Sequence, residues 1–389
     1  MRPVWADISL PAIVHNFKAI RAYVNPPSEK RAAPRKVLSI VKGNAYGHGG
    51  PPVAKALEKA GCDWFGVTCT EEGIGLRLAG VRKPILILTS FVPGEEKRLL
   101  QHNLTPVIHR CEQLSQLERV AARSGKRKVS FHLKIDSGMN RLGISANDVD
   151  CFARQLAKAK HLEIGGVLTH FASSGVFSDT PVGRQTRDQE ERFFAAVERL
   201  RALGIDPGIV HLANSAAIVT RPETWADMVR PGAILYGYHP GYDPAEQRPE
   251  IEKRLPLEPA MSLRTRIISL RDVPAGAGVG YDSSFVPQKP ARIAVLAAGY
   301  GDGIHRALSN RGSVLIRGAL APMVGIISMD VTMIDVTEVP GVEIGDMATI
   351  YGTDGKCKHP ANLVARSIGT VTSDLLCAVS HRVPRIYLH

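Results

Sequence analysis

Val37-Leu38-Ser39-Ile40-Val41-Lys42-Gly43-Asn44-Ala45-Tyr46-Gly47-His48-Gly49 reads as a buried strand that ends on a lysine and breaks into a glycine-punctuated loop. The apolar run is short and rich in β-branched residues, which favours a strand, and the Gly/Asn cluster behind it marks a turn. A strand-end lysine is most often simply solvated. It is also the residue type that forms Schiff bases with carbonyl compounds, and glycine-rich backbone can approach an anionic group closely. What the rest of the chain brings to Lys42 decides between the two.

Outward from this strand the pattern alternates. Upstream, Ser9 and Pro11 signal a helix start, with Ile13, Phe17, Ile20 and Val24 at helical spacing as far as Pro26-Pro27. Downstream, helical stretches at 53–60, 71–78, 95–100, 112–123, 146–159 and 187–203 alternate with strands at 64–68, 85–88, 105–108, 129–135, 163–169 and 209–212. A short helix from Ser215 and a last strand at Met228 to Arg230 follow. About eight strand–helix units in roughly 230 residues predict an α/β fold, a (β/α)8 TIM-type barrel. Beyond residue 252 the periodicity changes. Short runs rich in Val, Ile and Thr at 262–270, 291–297, 312–317, 323–327, 332–336 and 347–351 are separated by Gly, Pro and Asp, the pattern of an all-β domain. The expected division is a barrel over 1–250 and a β-strand domain over 251–389, with the polar, proline-containing segment Gly241 to Pro259 as linker.

Composition narrows the class. In 389 residues, 44% hydrophobic and 22% charged content is that of a globular protein, and 6% aromatic residues leave little for a base-stacking surface. The formal charge of +12, with clusters at Lys30-Arg31, Arg35-Lys36 and Lys126-Arg127-Lys128, invites a nucleic-acid reading. Those clusters lie in separate loop-like segments, and no zinc-finger spacing, aromatic RNA-binding signature or continuous basic helix accompanies them. The excess suits solubility or small anionic ligands, so no nucleic-acid partner is expected. The six cysteines form no C-x-x-C pair and read as reduced thiols, with neither a metal site nor a redox motif. The N-terminus lacks the apolar core of a signal peptide, and no run approaches the ~20 apolar residues of a membrane helix. The expectation is a cytoplasmic protein without membrane association.

In a barrel, functional groups gather where the carboxyl ends of the strands converge. Lys42 closes the first strand. Lys134, Asp136 and Arg141 lie at or beyond the fifth, His170 closes the sixth, His211, Asn214 and Ser215 follow the seventh, and Arg230 closes the eighth. Singly, His170 suits a core histidine and Arg230 an ion-pair partner. Together, an imine-forming lysine, a serine with glycine-containing backbone at Gly232-Ala233 for a phosphate, and an arginine for a ring nitrogen describe a pyridoxal 5'-phosphate site.

These residues carry a resemblance. Val41 to Gly49, Leu133-Lys134-Ile135-Asp136-Ser137-Gly138-Met139-Asn140-Arg141-Leu142-Gly143, His211 to Ala216, Val229-Arg230-Pro231-Gly232, Gly299-Tyr300-Gly301-Asp302-Gly303, Ser328-Met329-Asp330 and Arg382-Val383-Pro384-Arg385 resemble, in order, the motifs of the alanine racemases. The resemblance implies a pyridoxal phosphate barrel followed by a β-domain, working as a homodimer with shared active sites. It implies that Lys42 holds the cofactor and acts as one proton-transfer base, and that Tyr281 is the second, contributed by the opposite subunit. Two bases on opposite faces can invert a stereocentre without turning the substrate. Tyr46, Asn214, Ser215, Gly232 and Ala233 would contact the cofactor with its phosphate, and His170 would stack behind the ring. Arg230 would face the pyridine nitrogen and, staying protonated, keep that nitrogen unprotonated, so that reprotonation outruns transamination. Arg141, which would also assist Tyr281 as a base, and the backbone at Met329 would bind the substrate carboxylate, Tyr300 would line the entrance, and Lys134 would be a carbamylation site that orients Arg141. No metal is implied.

One position departs from the family pattern. A tyrosine–glutamate pair usually precedes the closing Arg-Val-Pro-Arg, and Ser373-Asp374 stands there instead. Losing that tyrosine removes ring volume and a phosphate contact, so serine or another small amino acid becomes a candidate substrate beside alanine, because small apolar pockets discriminate by only about 1–3 kcal/mol per methylene. Two further readings remain. A decarboxylase shares the barrel-plus-β-domain architecture but would need an acidic partner at the ring nitrogen, and a non-catalytic pyridoxal phosphate carrier shares only the lysine-bearing barrel and would need neither the β-domain nor Tyr281.

Overall fold

A computed structural model describes residues 3–389 apart from 126, 177, 243–244 and 246–247. Lys126 of the third basic cluster, the extreme N-terminal pair Met1-Arg2 and part of the expected linker therefore lie outside the described residues. The chain divides into two compact units. One comprises 13–45 and 50–258, the other 1–12, 46–49 and 259–389. Residues 46–49 and the N-terminal residues thus group with the second unit, where the expected division has a single cut near 250.

The chain opens with β1 (Val4–Ser9), which belongs to the second unit. The helix Leu10–Tyr23 follows, and Ser9 Oγ accepts from Ala12 N–H at its start, as the Ser/Pro signal predicts.

The first unit is the barrel. Its strands are β2 (Lys36–Ile40), β3 (Trp64–Val67), β4 (Ile85–Ile87), β5 (Thr105–Ile108), β6 (Val129–Asp136), the two-residue β7 (Ile144–Ser145) appended to β6, β8 (Leu162–Leu168), β9 (Ile209–His211) and β10 (Met228–Val229). All pair in parallel, in the order β10-β2-β3-β4-β5-β6-β8-β9. Asp227 N–H to Val210 C=O and Arg230 N–H to Ala213 C=O, at 3.0 and 2.9 Å, bring the two ends of this sheet together. The strands are apolar on successive residues because helices cover their outer faces while side chains fill the interior. The longest helix, Pro181–Ala202, begins six residues before the periodicity suggests. Thr180 Oγ1 caps it by accepting from Gly183 N–H, and Pro181 supplies the fixed φ of a first helical residue. The segment read as linker contains the helix Arg248–Arg254, whose Ile251 is buried.

The second unit is built on β11 (Met261–Val273), β12 (Ala291–Leu296), β13 (Ser313–Ile316), β14 (Ala319–Val324), β15 (Thr332–Asp335), β16 (Met347–Asp354), β17 (Cys357–His359) and β18 (Arg385–Leu388). The order is β17-β16-β13-β14-β15-β12-β11-β1-β18, and a further β16–β11 pairing closes a circuit through β11, β16, β13, β14, β15 and β12. β1 lies antiparallel to β11 and parallel to β18. Two short helices, Ala361–Ser367 and Thr372–Cys377, interrupt what the sequence presents as purely β. Among the described residues no helix is long and apolar enough to cross a membrane.

Candidate active site

Lys42 follows β2 by two residues and enters an unusual turn. Gly43, Asn44, Ala45 and Tyr46 have φ of 61, 54, 55 and 51°, and Ala45 N–H bonds to Val41 C=O at 2.8 Å, so the chain makes one left-handed helical turn. Left-handed backbone costs a residue bearing a Cβ about 1–2 kcal/mol, so neighbours must hold it. Glu72, in the first turn of the helix Thr70–Leu78, accepts Gly43 N–H through Oε1 and Thr68 N–H through Oε2, each at 2.7 Å. Asn44 Oδ1 accepts from Gly50 N–H at 2.7 Å. The Lys42 amine itself has no hydrogen-bond or ion-pair partner among the described residues.

Strand β6 sends alternate residues to one face, so His132, Lys134 and Asp136 share it. Asp136 builds the loop beyond: its carboxylate accepts from the backbone N–H groups of Gly138, Met139, Asn140 and Arg141 at 2.9–3.1 Å. Gly143, at φ 141°, lies against Asp136 N, where a Cβ would approach to 2.3 Å. Lys134 is 7% exposed. Burial, then the Arg141 and Arg230 charges, push it down to about 8 against the opposing Asp136 carboxylate. Lys42 acts in the same direction. His170, just after β8, is held well below its ordinary value by burial and then by Arg230, Lys134, Arg141 and Lys42. Lys42, Lys134, Arg141, His170 and Arg230 thus lie within electrostatic reach of one another.

Behind β9, Asn214 caps the helix Ser215–Thr220, its Oδ1 accepting from Ala217 N–H at 3.1 Å and from Ser174 Oγ–H at 2.7 Å. Ser215 Oγ accepts from Gly232 N–H at 2.8 Å, joining Ser215, Gly232 and Ala233 in one polar cradle at the start of two helical turns.

Arg230 is 4% exposed and has no acidic partner among the described residues. One terminal nitrogen donates to His211 C=O at 2.7 Å and His211 Nδ1 at 3.1 Å. The other donates to Thr169 C=O at 2.7 Å and Leu212 C=O at 2.8 Å, and lies 3.5 Å from His170 Nδ1. The N–H bonds of both terminal nitrogens are thus committed, and Nε–H alone has no partner among the described residues. Burial lowers Arg230 to about 9, which still leaves it cationic at neutral pH.

Four predicted residues lie in the other unit. Tyr46 is pushed up to about 12, first by burial and then by the Cys377 charge. It leads into Gly47, whose C=O accepts from Arg385 Nε at 3.0 Å, and Gly49, where a Cβ would meet the Tyr387 hydroxyl at 1.9 Å. Tyr281 stands 64% exposed after Gly280, with Asp282 and Ser283 both at positive φ. Tyr300 and Met329 are also exposed and their loops are stitched together: Tyr300 N–H bonds to Ser328 C=O and Gly301 N–H to Met329 C=O, at 3.0 and 2.9 Å. Arg382 clamps them, with Nε to buried Asp302 at 2.8 Å and a terminal nitrogen to Asp330 at 2.9 Å. Ser373 lies in the helix Thr372–Cys377, and its neighbour Asp374 accepts from Thr370 Oγ1 at 2.7 Å.

Sequence reasoning missed Glu72, His132 and the Asp302–Arg382 pair. Only His132 had a usable signal, since it sits two residues before Lys134 on the same face of β6.

The sequence profile described as "Alanine racemase, N-terminal domain" matches residues 8–240, and that described as "Alanine racemase, C-terminal domain" matches 260–387. The chain belongs to the alanine racemase family. Among its relatives is "Alanine racemase 2" of Caldanaerobacter subterraneus subsp. tengcongensis, 38% identical with 100% of this chain and 96% of that protein covered. A solved alanine racemase from Clostridium difficile 630 superposes with a TM-score of 0.89 at 32% identity, covering 100% of this chain and 96% of that one. Another, from Bartonella henselae with covalently bound pyridoxal phosphate, has a TM-score of 0.84 at 27% identity, with both chains fully covered. Membership accounts for the two-unit architecture and for the order of the motifs along the chain.

Proposed function

We propose that the protein interconverts L- and D-alanine with pyridoxal phosphate, in the cytoplasm and as a homodimer. The observation that carries the reading is Arg230, a buried cation held on four acceptors, with no carboxylate partner and Nε–H left over among the described residues. A buried guanidinium so arranged fits a neutral pyridine nitrogen, and the unpaired Lys42 amine fits a carbonyl group. The Ser215–Gly232–Ala233 cradle fits a phosphate, and the family resemblance gives Tyr46 the same role. When bound, pyridoxal phosphate supplies the electron withdrawal that acidifies the substrate Cα–H bond.

The chain's own residues do the rest. Arg230 stays protonated and so keeps a facing nitrogen unprotonated, which limits that withdrawal and favours return of the proton to Cα. Asn214 holds Ser215 in place by capping its helix. His170, neutral because of its buried cationic surroundings, can stack against a ring without adding charge. Arg141 and the Met329 backbone would receive the substrate carboxylate, and Tyr300 would line the entrance. Lys42 takes or returns the proton on one face and the partner subunit's Tyr281 does so on the other, so one turnover leaves the protonation states of the two bases exchanged. Arg141 beside that phenol would favour its ionised form. Lys134, lowered to about 8, carries enough neutral amine near neutral pH to react with carbon dioxide, and a carbamate there would give the Arg141 side chain an anionic neighbour.

Chiral analysis of products from L-alanine, with Lys42→Ala as control, tests the proposal. D-alanine and a covalently held chromophore are expected from the native protein, and neither from the variant. Carbon dioxide release in place of inversion would point to the decarboxylase reading and overturn it.

A further inference from the structure

Behind Arg230 runs a buried polar chain with only one consistent hydrogen pattern. Arg230 donates to His211 Nδ1 at 3.1 Å, and His211 Nε2 lies 2.9 Å from His132 Nδ1. A guanidinium can only donate, so His211 Nδ1 must carry its lone pair and His211 Nε2 its proton. His132 Nδ1 then accepts, which puts the proton of His132 on Nε2, where it has no partner among the described residues. Both rings are 0% exposed, and burial together with the Arg230 charge holds both far below the ordinary histidine value, so both are neutral. The fold makes room for this arrangement. Gly166 of β8 lies against His132, where a Cβ would come within 2.6 Å of Cε1 and 2.7 Å of Nδ1, and Trp64 packs on the ring at a centroid distance of 5.1 Å.

We infer that His132 is a positioning residue for Arg230, acting by locking His211 in its Nε2–H tautomer so that His211 Nδ1 stays open to the guanidinium. The role rests on the proposal that Arg230 faces the cofactor ring. Without His132, His211 Nε2–H loses its acceptor and the ring can exchange to the Nδ1–H form. That form sets a donor against the Arg230 nitrogen 3.1 Å away, and with no carboxylate partner among the described residues nothing replaces the lost bond. The guanidinium then swings on its three carbonyl acceptors, and its free Nε–H moves with it.

The test reads the tautomers directly. In the holoenzyme labelled with ¹⁵N-histidine, long-range ¹H–¹⁵N spectra are expected to show His132 and His211 as neutral Nε2–H rings between pH 6 and 9. Finding either ring protonated, or His211 as Nδ1–H, overturns the inference without reference to activity. In His132→Phe, His211 should show a mixture of tautomers, the cofactor absorption band should shift, and kcat should fall about tenfold or more, the order expected for one charge-assisted hydrogen bond, with KM for alanine little changed. His132→Asn, whose Oδ1 can take the place of Nδ1, should restore both tautomer and band. Gly166→Ala, which crowds the ring at Cε1 and Nδ1, the edge that meets His211, should reproduce the His132→Phe spectrum and serves as the second variant. An unmixed Nε2–H His211 with native kcat in His132→Phe refutes the positioning role. Absence of racemisation in the native protein would instead refute the proposed function and leave the tautomer result standing.

Discussion

Glu72 offers the most direct test of how this fold presents its lysine. Three residues with a Cβ, Asn44, Ala45 and Tyr46, sit in left-handed backbone immediately after Lys42, at an intrinsic cost of about 3–6 kcal/mol taken together. The carboxylate of Glu72 accepts two backbone N–H bonds at 2.7 Å, one from the turn at Gly43 and one from Thr68 after the next strand. Charge-assisted bonds contribute about 1.5–3 kcal/mol each, and because Glu72 is only half-buried the lower figure applies, about 3 kcal/mol for the pair. That is the size of the strain it opposes. Glu72→Gln can keep one of the two bonds, since its amide oxygen accepts and its nitrogen does not, and should lose about half; Glu72→Ala should lose both and let the turn relax. The assay is the rate and stoichiometry of covalent pyridoxal phosphate uptake by protein stripped of cofactor, read beside a urea midpoint. The expected series is native, then Gln, then Ala, with uptake falling about tenfold or more at Ala, since 1.4 kcal/mol is a factor of ten. A Glu72→Ala protein that takes up cofactor at the native rate and keeps positive φ over 44–46 in a crystal structure would show that the carboxylate does not hold the turn.

Lys134 sets a pH signature. Its folded value of about 8 lies below the ordinary 10.5, so the unfolded chain binds the extra proton between the two, and the unmodified protein should gain stability relative to Lys134→Met as pH rises through that window and lose the gain below it. Urea midpoints at pH 7 and 9.5 in carbonate-free buffer check the sign; added bicarbonate should abolish the difference and add the mass of one carbamate to the intact protein, and no modification at any pH would remove Lys134 from that role. Ser373→Tyr should lower turnover of L-serine relative to L-alanine and tighten cofactor retention, and an unchanged ratio would mean that Ser373 does not enlarge the substrate site.

The barrel was legible because its strands are buried on both faces and so read as short continuous apolar runs between amphipathic helices. β1 was not, although it alternates cleanly, because the small Ala6 at its inward centre weakens the apolar signal and its partners β11 and β18 lie more than 250 residues away. The helix Arg248–Arg254 hid behind charge, with Ile251 as its only buried anchor. Candidate site residues stood out where a rare side chain falls at a strand end. Glu72 looked like any acidic residue in a first helical turn, and what distinguishes it is the two N–H groups that the folded chain aims at its carboxylate.

By itself the sequence determined the two architectural classes, their order, and the set Lys42, Lys134, Arg141, His170, Ser215 and Arg230 at the strand ends, because period and turn chemistry are local. The tertiary structure alone decided that residues 1–12 join the β unit, that Lys42 enters a left-handed turn, and that Arg230 meets carbonyls and an imidazole in place of a carboxylate. Each of those depends on groups distant in sequence meeting in space, and the last fixes a proton on His211 and His132 that no pattern of residues along the chain could specify.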